Sequence, residues 1–255
     1  MADDKAADTP VQSKKNPRRT GKVCEFLTYS GREAFKRLRT NVLIGLGDNA
    51  EKKCRIIGIT SAQPSEGKST VSVNLAYCLA ELGKGVLLID CDMHRPAVHE
   101  IVGCSLAPGL SEILNGTTSL GDCVVRYKSS ADKTFYDLIP SGSVADNSLE
   151  LLNSQRFQKL LDAAGNAFDY VVVDLPPVNA VVDAVNVSKY VDGMIVVLRE
   201  GHCPRYALDE CMQQLRFAGT NVLGFVLNGC IEGAGKHYQY GGRYGYGYRY
   251  ESKQK

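Results

Sequence analysis

The hydrophobic residues of this chain follow two alternating patterns that together predict an α/β fold. Short, nearly continuous apolar runs, typical of strands that are buried on both faces, occur at residues 55–60, 85–90, 135–139, 170–174, 194–198 and 222–227. Between them, apolar residues spaced by three and four positions predict helices at residues 32–46, 67–82, 154–164 and 205–218. Ser154 is the expected N-cap of the third helix. Because strands and helices alternate, we expect a mostly parallel β-sheet flanked by helices.

The two ends of the chain differ in composition from this central region. Residues 1–31 are mostly polar, residues 32–228 carry the α/β pattern, and residues 229–255 are rich in Gly and Tyr. We therefore predict one folded domain between a flexible N-terminal arm and a flexible C-terminal tail. Four basic residues lie close together in the arm: Lys14, Lys15, Arg18 and Arg19. This cluster suits either a solvated segment or weak attraction to an anionic membrane face.

Net charge, cysteine spacing and hydropathy limit the classes of function. A net charge of +2 over 255 residues gives no overall nucleic-acid or membrane signal. The nine cysteines include no C-x-x-C pair, which favours reduced thiols in a cytosol. No apolar run reaches the roughly 20 residues that a membrane-spanning helix needs. We therefore expect a cytoplasmic protein.

A phosphate-binding loop is predicted between the first strand and the helix that follows it. Residues 62–69 read A-Q-P-S-E-G-K-S, with Ala62 at a position that is usually Gly in this motif. The backbone N–H groups of such a loop hold phosphate, Lys68 reaches the β- and γ-phosphates, and Ser69 ligates Mg²⁺. A nucleoside triphosphate and Mg²⁺ are therefore expected to bind here. The predicted nucleotide-binding residues are Ala62, Gln63, Pro64, Ser65, Glu66, Gly67, Lys68, Ser69 and Thr70.

Two further predicted strands end in aspartates, which places carboxylates beside this loop. Asp90 and Asp92 lie two positions apart and point the same way in an extended backbone, and Asp174 ends another strand. The carboxyl ends of parallel strands meet at one edge of a sheet, where ligands bind. Asp92 and Asp174, with Ser69, are the predicted Mg²⁺ ligands, and Asp90 is the candidate base that accepts a phenol proton. The roles of Asp90 and Asp92 could be exchanged.

The C-terminal tail supplies a row of accessible phenols. Residues 238–250 read Y-Q-Y-G-G-R-Y-G-Y-G-Y-R-Y and hold six of the chain's 13 tyrosines. The segment contains no aliphatic residue, so it cannot bury a core. A phosphate-donor site and a cluster of acceptors in one chain indicate a kinase that modifies its own tail. The predicted acceptors are Tyr238, Tyr240, Tyr244, Tyr246, Tyr248 and Tyr250.

These motifs, in this order and followed by a tyrosine-rich tail, closely resemble the bacterial tyrosine kinases, which regulate capsular and extracellular polysaccharide synthesis. The family's loop reads T-S-x-x-P-x-E-G-K-S, matched here at residues 60–69, and residues 108–114 and 222–229 are also similar. The resemblance implies a P-loop NTPase-like fold, with Lys68 and Ser69 on ATP and Mg²⁺ and the three aspartates as the acidic set.

The resemblance also implies partners. Kinases of this family that lack a membrane span act with a membrane activator of the polysaccharide chain-length-control class, which would recruit this chain to the inner face of the plasma membrane. A ring-type homo-oligomer, transfer of phosphate between subunits and a tyrosine phosphatase are further expectations. No nucleic-acid partner is expected.

Two positions depart from the family pattern, and a third residue has two possible roles. The family's D-x-D-x-R motif has His94 at its last position here, with Arg95 one residue later as the candidate catalytic arginine. Its oligomerisation motif E-x-x-R-x-x-R is represented by Glu33, Lys36 and Arg39, and lysine cannot form the bidentate fork of arginine. Asn228 either reads adenine, as in related ATPases, or is a turn residue before Gly229.

Three other functions stay open from the sequence. A partitioning or division-site ATPase would share the fold, although Gln63 stands where the loop of those ATPases has its signature lysine. A nucleic-acid-binding module would use the tail, in which Arg243 and Arg249 are the only arginines. A catalytically poor scaffold would use the tail to dock partners.

Overall fold

A seven-stranded sheet organises residues 23–47 and 52–230, the part of the chain that this computed structural model describes. The strands lie in the order β3-β4-β2-β5-β1-β6-β7, and all neighbours are parallel except β3 and β4. The strands are β1 (Arg55–Ser61), β2 (Val86–Asp90), β3 (Val125–Lys128), β4 (Phe135–Ile139), β5 (Tyr170–Asp174), β6 (Gly193–Arg199) and β7 (Val222–Asn228). The predicted α/β class with a mostly parallel sheet is confirmed.

Helices cover both faces of this sheet. The first three helices lie on one face: α1 (Tyr29–Leu46), α2 (Lys68–Ala80) and α3 (Val98–Val102). The other face is covered by α4 (Leu110–Asn115), α6 (Ser148–Leu152), α7 (Gln155–Ala167), α8 (Asp183–Val187) and α9 (Arg205–Phe217), while α5 (Leu120–Cys123) precedes β3. Short 3₁₀ helices occupy Cys24–Phe26 and Ser188–Tyr190.

The central strands are buried on both faces, as their continuous apolar runs predicted. In β5, Val171 and Val173 pack into the core under α7, and Val172 packs into the core under α2. The predicted cap is also present, since the Ser154 hydroxyl accepts a hydrogen bond from the Phe157 N–H over 3.3 Å. No described helix is both long and apolar enough to cross a bilayer.

The N-terminal boundary of the folded region differs from the expectation. Residues 23–31, which we expected in the flexible arm, lie against the domain: Val23 and Cys24 are buried in the core beside α2. Helix α1 begins at Tyr29 rather than at Arg32, because Thr28 caps it by accepting a hydrogen bond from the Gly31 N–H. Residues 1–22 and the six tail tyrosines lie outside the described residues, so the expectations about them stay predictions.

The short elements were missed by the sequence analysis. Helices α3, α4, α5, α6 and α8 have four to six residues each, which is too short for a helical period to be visible. Strand β3 was missed because its four residues include the charged Arg126 and Lys128 and so form no continuous apolar run. It is held by tertiary contacts instead, since Arg126 pairs with Asp137 at 2.7 Å and the rings of Tyr127 and Tyr136 stack with centroids 4.9 Å apart.

Candidate active site

The predicted phosphate-binding loop lies between the end of β1 and the first residue of α2. Ser65 and Gly67 have left-handed backbone, with φ of 66° and 97°. Inside the loop, the Gln63 N–H donates to Glu66 Oε2 over 2.8 Å, and the Ser61 hydroxyl donates to the Gln63 carbonyl over 2.7 Å. The Glu66 side chain is fully buried. It therefore shapes the loop from within, a role that the motif alone did not indicate.

Residues at the ends of β6 and β7 hold this loop from one side. The Asn228 amide donates to the Glu66 carbonyl over 2.9 Å, Arg199 Nη1 to the Ser65 carbonyl over 3.4 Å, and His202 Nε2 to the Pro64 carbonyl over 3.1 Å. Three successive carbonyls are thus turned toward β6 and β7, which suits a loop whose N–H groups serve a phosphate. Arg199 and His202 were not predicted, since no motif marks them.

Asn228 makes one hydrogen bond to the phosphate loop and another within the turn that follows β7. Its Nδ2 bonds the loop, and its Oδ1 accepts from the Gly229 N–H over 2.9 Å. A Cβ added to Gly67 would lie 2.0 Å from Asn228 Nδ2. Gly67 is therefore required both by its left-handed backbone and by the close approach of Asn228.

The three predicted aspartates meet at the carboxyl edge of the sheet. Asp90 and Asp174 are direct neighbours in the register of β2 and β5. The Lys68 ammonium lies 2.7 Å from Asp92 Oδ2 and 3.5 Å from Asp174 Oδ2, and the Ser72 hydroxyl donates to Asp174 Oδ1 over 2.8 Å. The three aspartates predicted from the strand ends therefore lie together, beside Lys68. Ser72, one turn beyond Lys68 on α2, was missed.

Burial and mutual charge set the protonation of this cluster. Burial and the nearby charge of Asp174 raise the pKa of Asp90 well above its usual range, although Lys68 opposes this. Burial also raises the pKa of Asp174. Burial alone would lower the pKa of Lys68, but Asp174, Asp92 and Asp90 raise it overall. The cluster therefore holds a charged lysine beside two buried carboxyl groups, Asp90 and Asp174, whose pKa values are both raised.

These residues fit Mg²⁺ with a nucleotide, although they form no complete metal cage. No group of three or more His, Cys, Asp or Glu residues with metal-holding geometry occurs in residues 23–47 and 52–230. Mg²⁺ in nucleotide sites is usually held by one or two carboxylates plus phosphates and water, so a partial ligand set is expected. Asp90 Oδ2 is buried and has no hydrogen-bond partner among the described residues. Such an oxygen is suited to a ligand or a proton.

His94 and Arg95, two and three positions after Asp92, have different surroundings. His94 Nε2 lies 3.1 Å from Asp183 Oδ2 and 2.9 Å from the Ser148 hydroxyl, which itself donates to Asp183 over 2.7 Å. The Arg95 N–H donates to Asp92 Oδ1 over 2.9 Å, while the Arg95 side chain is exposed. Arg95 thus orients Asp92 through its backbone, and a catalytic role for its side chain stays a prediction. Asp183 and Ser148 were not anticipated.

Comparison with known proteins places the chain in a family. A family model described as an AAA domain matches residues 54–219. The tyrosine-protein kinase CpsD of Streptococcus agalactiae is 33% identical over 210 residues, which cover 82% of this chain and 88% of that protein. The tyrosine-protein kinase YwqD of Bacillus subtilis is 32% identical, with 82% and 84% covered. This chain belongs to the bacterial tyrosine kinases.

Solved structures agree with this family and with the fold. The kinase domain of the Escherichia coli tyrosine kinase ETK has a TM-score of 0.73 and 36% identity, covering 82% of this chain and 79% of that one. The septum site-determining protein MinD from Pyrococcus horikoshii, complexed with Mg-ADP, has a TM-score of 0.56 and 23% identity, covering 68% and 70%. The second likeness shows the shared P-loop NTPase fold alone.

The three residues predicted to serve oligomerisation lie in two different environments. Glu33 and Lys36 form an ion pair with each other at 3.0 Å on the outer side of α1. Arg39 instead turns toward its own domain, donating to the Cys78 carbonyl over 2.7 Å and lying 3.5 Å from Glu81. The role of the three residues in assembly stays a prediction, and Arg39 also ties α1 to the C-terminal end of α2.

Gly67→Ala is expected to lower the affinity for ATP by at least about tenfold, equivalent to about 1.4 kcal/mol. The new Cβ would meet the Asn228 amide at 2.0 Å, so the loop or the amide must move. Combining Gly67→Ala with Asn228→Ala removes the clash and should recover part of the loss. Titration with a fluorescent ATP analogue measures both variants.

Gly83→Ala is the matched control for this experiment. Gly83 also has a left-handed φ, of 74°, but nothing lies within 4 Å of its added Cβ. It therefore reports the backbone strain alone, on the order of 1 kcal/mol, without changing nucleotide affinity. Wild-type affinity in Gly67→Ala would contradict the proposed packing.

Asp90→Asn is expected to increase the free energy of unfolding, and by more at higher pH. Because the pKa of Asp90 is raised in the folded state, its contribution to stability is complete below the unfolded pKa and is lost as the pH rises through the folded value. Asparagine resembles the protonated acid, so the difference in the free energy of unfolding between variant and wild type should widen as the pH rises above about 4, the ordinary pKa of aspartate. Urea unfolding measures it, with exposed Asp162→Asn as the control. A gap that narrows with pH would contradict the assignment.

Proposed function

We propose that this protein is an ATP-dependent protein tyrosine kinase that phosphorylates the tyrosines of its own C-terminal tail and thereby regulates the synthesis and export of a capsular or extracellular polysaccharide. The observation that carries the proposal is the Lys68 ammonium held between Asp92 and Asp174, with Asp90 beside them at the end of β2. The membership of the chain in the bacterial tyrosine kinases supports the choice of tyrosine as acceptor.

The chemistry of the site suits phosphoryl transfer to a phenol. ATP would supply the transferred phosphoryl group, and Mg²⁺ bound with it would neutralise part of the phosphate charge. Lys68 contributes a fixed positive charge for the phosphates, and its charge is secured by the carboxylates around it. Asp90 accepts the phenol proton. Its raised pKa brings it closer to the value of about 10 for tyrosine, which favours this transfer.

The nucleotide-binding roles follow from the loop. The backbone of residues 62–70 holds the phosphates, Ser69 with Asp92 and Asp174 holds Mg²⁺, and Arg95 keeps Asp92 oriented through its N–H group. Glu66 and Asn228 act on the nucleotide indirectly, by fixing the loop.

The acceptors of one copy are modified by another copy. The six tail tyrosines are Tyr238, Tyr240, Tyr244, Tyr246, Tyr248 and Tyr250, and they follow β7 in sequence after Gly229. A ring-type assembly through Glu33, Lys36 and Arg39 brings a neighbour's site within reach of the tail. Each added phosphate carries close to two negative charges, so accumulated phosphates repel one another and loosen the assembly.

The regulatory partners are proposed by analogy with those of the bacterial tyrosine kinases. A transmembrane activator of the polysaccharide chain-length-control class recruits the kinase to the inner face of the plasma membrane, and a tyrosine phosphatase resets the tail. Cycling between the phosphorylated and unphosphorylated tail then links assembly to polysaccharide synthesis.

Lys68→Met is expected to abolish phosphorylation of the tail. The change removes the charge that holds the phosphates and keeps the apolar stem of the buried side chain. Purified protein is incubated with ATP and Mg²⁺, alone and with the cytoplasmic segment of an activator, and phosphotyrosine is measured by mass spectrometry. Lys84→Met, at a half-exposed lysine that pairs only loosely with Asp169, is the control. Phosphotyrosine in the Lys68→Met protein would refute the assignment of the site.

Mixing two defective proteins tests transfer between copies. One protein carries Lys68→Met and an intact tail, and the other is active but ends before the tail at residue 230. We expect phosphate on the tail of the Lys68→Met protein, because the two chains can supply the site and the acceptor separately. A tail that stays unmodified, while the full-length wild type modifies itself, would show that transfer occurs within one chain.

A further inference from the structure

The tyrosines outside the tail differ sharply in their access to solvent. Tyr77, Tyr127 and Tyr136 are buried, and Tyr170 and Tyr190 are partly buried. The phenols of Tyr77 and Tyr127 donate hydrogen bonds to Asp132 and Glu25. Only two tyrosines of the described residues are strongly exposed, Tyr29 at 74% and Tyr206 at 71%. These two are the candidates for an acceptor inside the domain.

Charge separates the two candidates. On a helix, the residues three and four positions further on are the neighbours of a side chain. Tyr29 is followed at these positions by Arg32 and Glu33, and that glutamate is already paired with Lys36 at 3.0 Å. A phosphate at Tyr29 therefore meets an available cation, and it also lies in the first turn of an 18-residue helix, where negative charge is favourable.

Tyr206 also lies in the first turn of its helix, α9, but its charged neighbours have the opposite sign. Its neighbours three and four positions further along α9 are Asp209 and Glu210, both exposed. Asp209 lies 3.9 Å from Arg205, so the nearest cation is already shared with a carboxylate. A phosphate on Tyr206 would therefore be repelled by two acidic side chains, although its phenol is as accessible as that of Tyr29.

We propose that Tyr29 is a further phosphoacceptor of this kinase, modified by a second copy of the chain. The inference rests on the proposed function, because the same active site performs the transfer. The Tyr29 phenol oxygen forms a bond to the γ-phosphorus of ATP while the bond from that phosphorus to ADP breaks. The bonding electron pair leaves with ADP, and the phenol proton passes to Asp90 of the copy that holds the ATP.

The modification adds charge to the helix that we assign to assembly. Tyr29, Glu33 and Lys36 lie on the same side of α1 at spacings of three and four residues. The pKa of Lys36 is raised chiefly by its hydrogen bond to Glu33, with smaller contributions from Glu81 and then from Tyr29. A phosphate of nearly two negative charges competes with Glu33 for Lys36 and changes the charge of this face. Phosphorylated Tyr29 thus weakens contacts made through Glu33 and Lys36.

The test uses a tail-Phe variant, in which the six tail tyrosines are replaced by phenylalanine and the rest of the chain is unchanged. It is incubated with ATP and Mg²⁺, and phosphopeptides are mapped. We expect phosphate on Tyr29. Adding Tyr29→Phe to this variant should remove the remaining phosphate, whereas adding Tyr206→Phe, a matched change at an equally exposed tyrosine, should leave it.

A second acceptor in the same reaction separates the two possible failures. The Lys68→Met protein with an intact tail is included as a substrate that carries no activity of its own. If its tail is phosphorylated and the tail-Phe variant stays free of phosphate on Tyr29, the inference is wrong and the proposed function stands. If neither is phosphorylated, the proposed function fails.

The effect on assembly is measured by light scattering on the phosphorylated tail-Phe variant with and without Tyr29→Phe. We expect a smaller assembly where Tyr29 is present and phosphorylated, and an unchanged one where it is phenylalanine. Equal masses with Tyr29 fully phosphorylated would overturn the coupling to assembly.

Discussion

The structure of the active site depends on one interaction, the buried ammonium of Lys68 among three aspartates. A charge removed from water costs several kcal/mol unless it is paired. Here the positive charge of Lys68 and the negative charges of the aspartates stabilise one another. Lys68 is carried by the N-terminus of α2, while Asp90 and Asp174 are carried by adjacent strands in register. The pairing therefore fixes the phosphate loop relative to the carboxyl edge of the sheet.

The loop is fixed on its other side by hydrogen bonds rather than by ion pairs. Asn228 bonds the Glu66 carbonyl, and Glu66 bonds the Gln63 N–H from within the loop. These contacts leave no room for a side chain at Gly67. The loop thus meets the acidic cluster on one side and hydrogen-bond donors from Asn228, Arg199 and His202 on the side of β6 and β7.

The sequence predicted those features that depend on local pattern or on the shared edge of a parallel sheet. The apolar runs located six of the seven strands of the described region, and the aspartates at two strand ends led correctly to the cluster around Lys68. It missed features that depend on distant contacts. Ser148 and Asp183, on two separate helices of five residues each, contact His94. Arg199 and His202 contact the phosphate loop although they lie far from it in the sequence. No periodicity or motif encodes such meetings, because they exist only once the sheet has formed.

The departures from the family pattern can be judged by where the structure places them. In the oligomerisation motif, the position that has changed to Lys36 is on the outer side of α1, where it pairs with Glu33. The retained Arg39 makes the more demanding contacts, with the Cys78 carbonyl and Glu81 at the end of α2. The Arg39 guanidinium has several donors in a rigid fork, so it can bond two acceptors on another helix. The Lys36 ammonium is enough for a single carboxylate one turn away, that of Glu33. Lysine therefore stands at the position where loss of the guanidinium costs the folded domain least, and arginine stands where it joins α1 to the helix that begins at the phosphate loop.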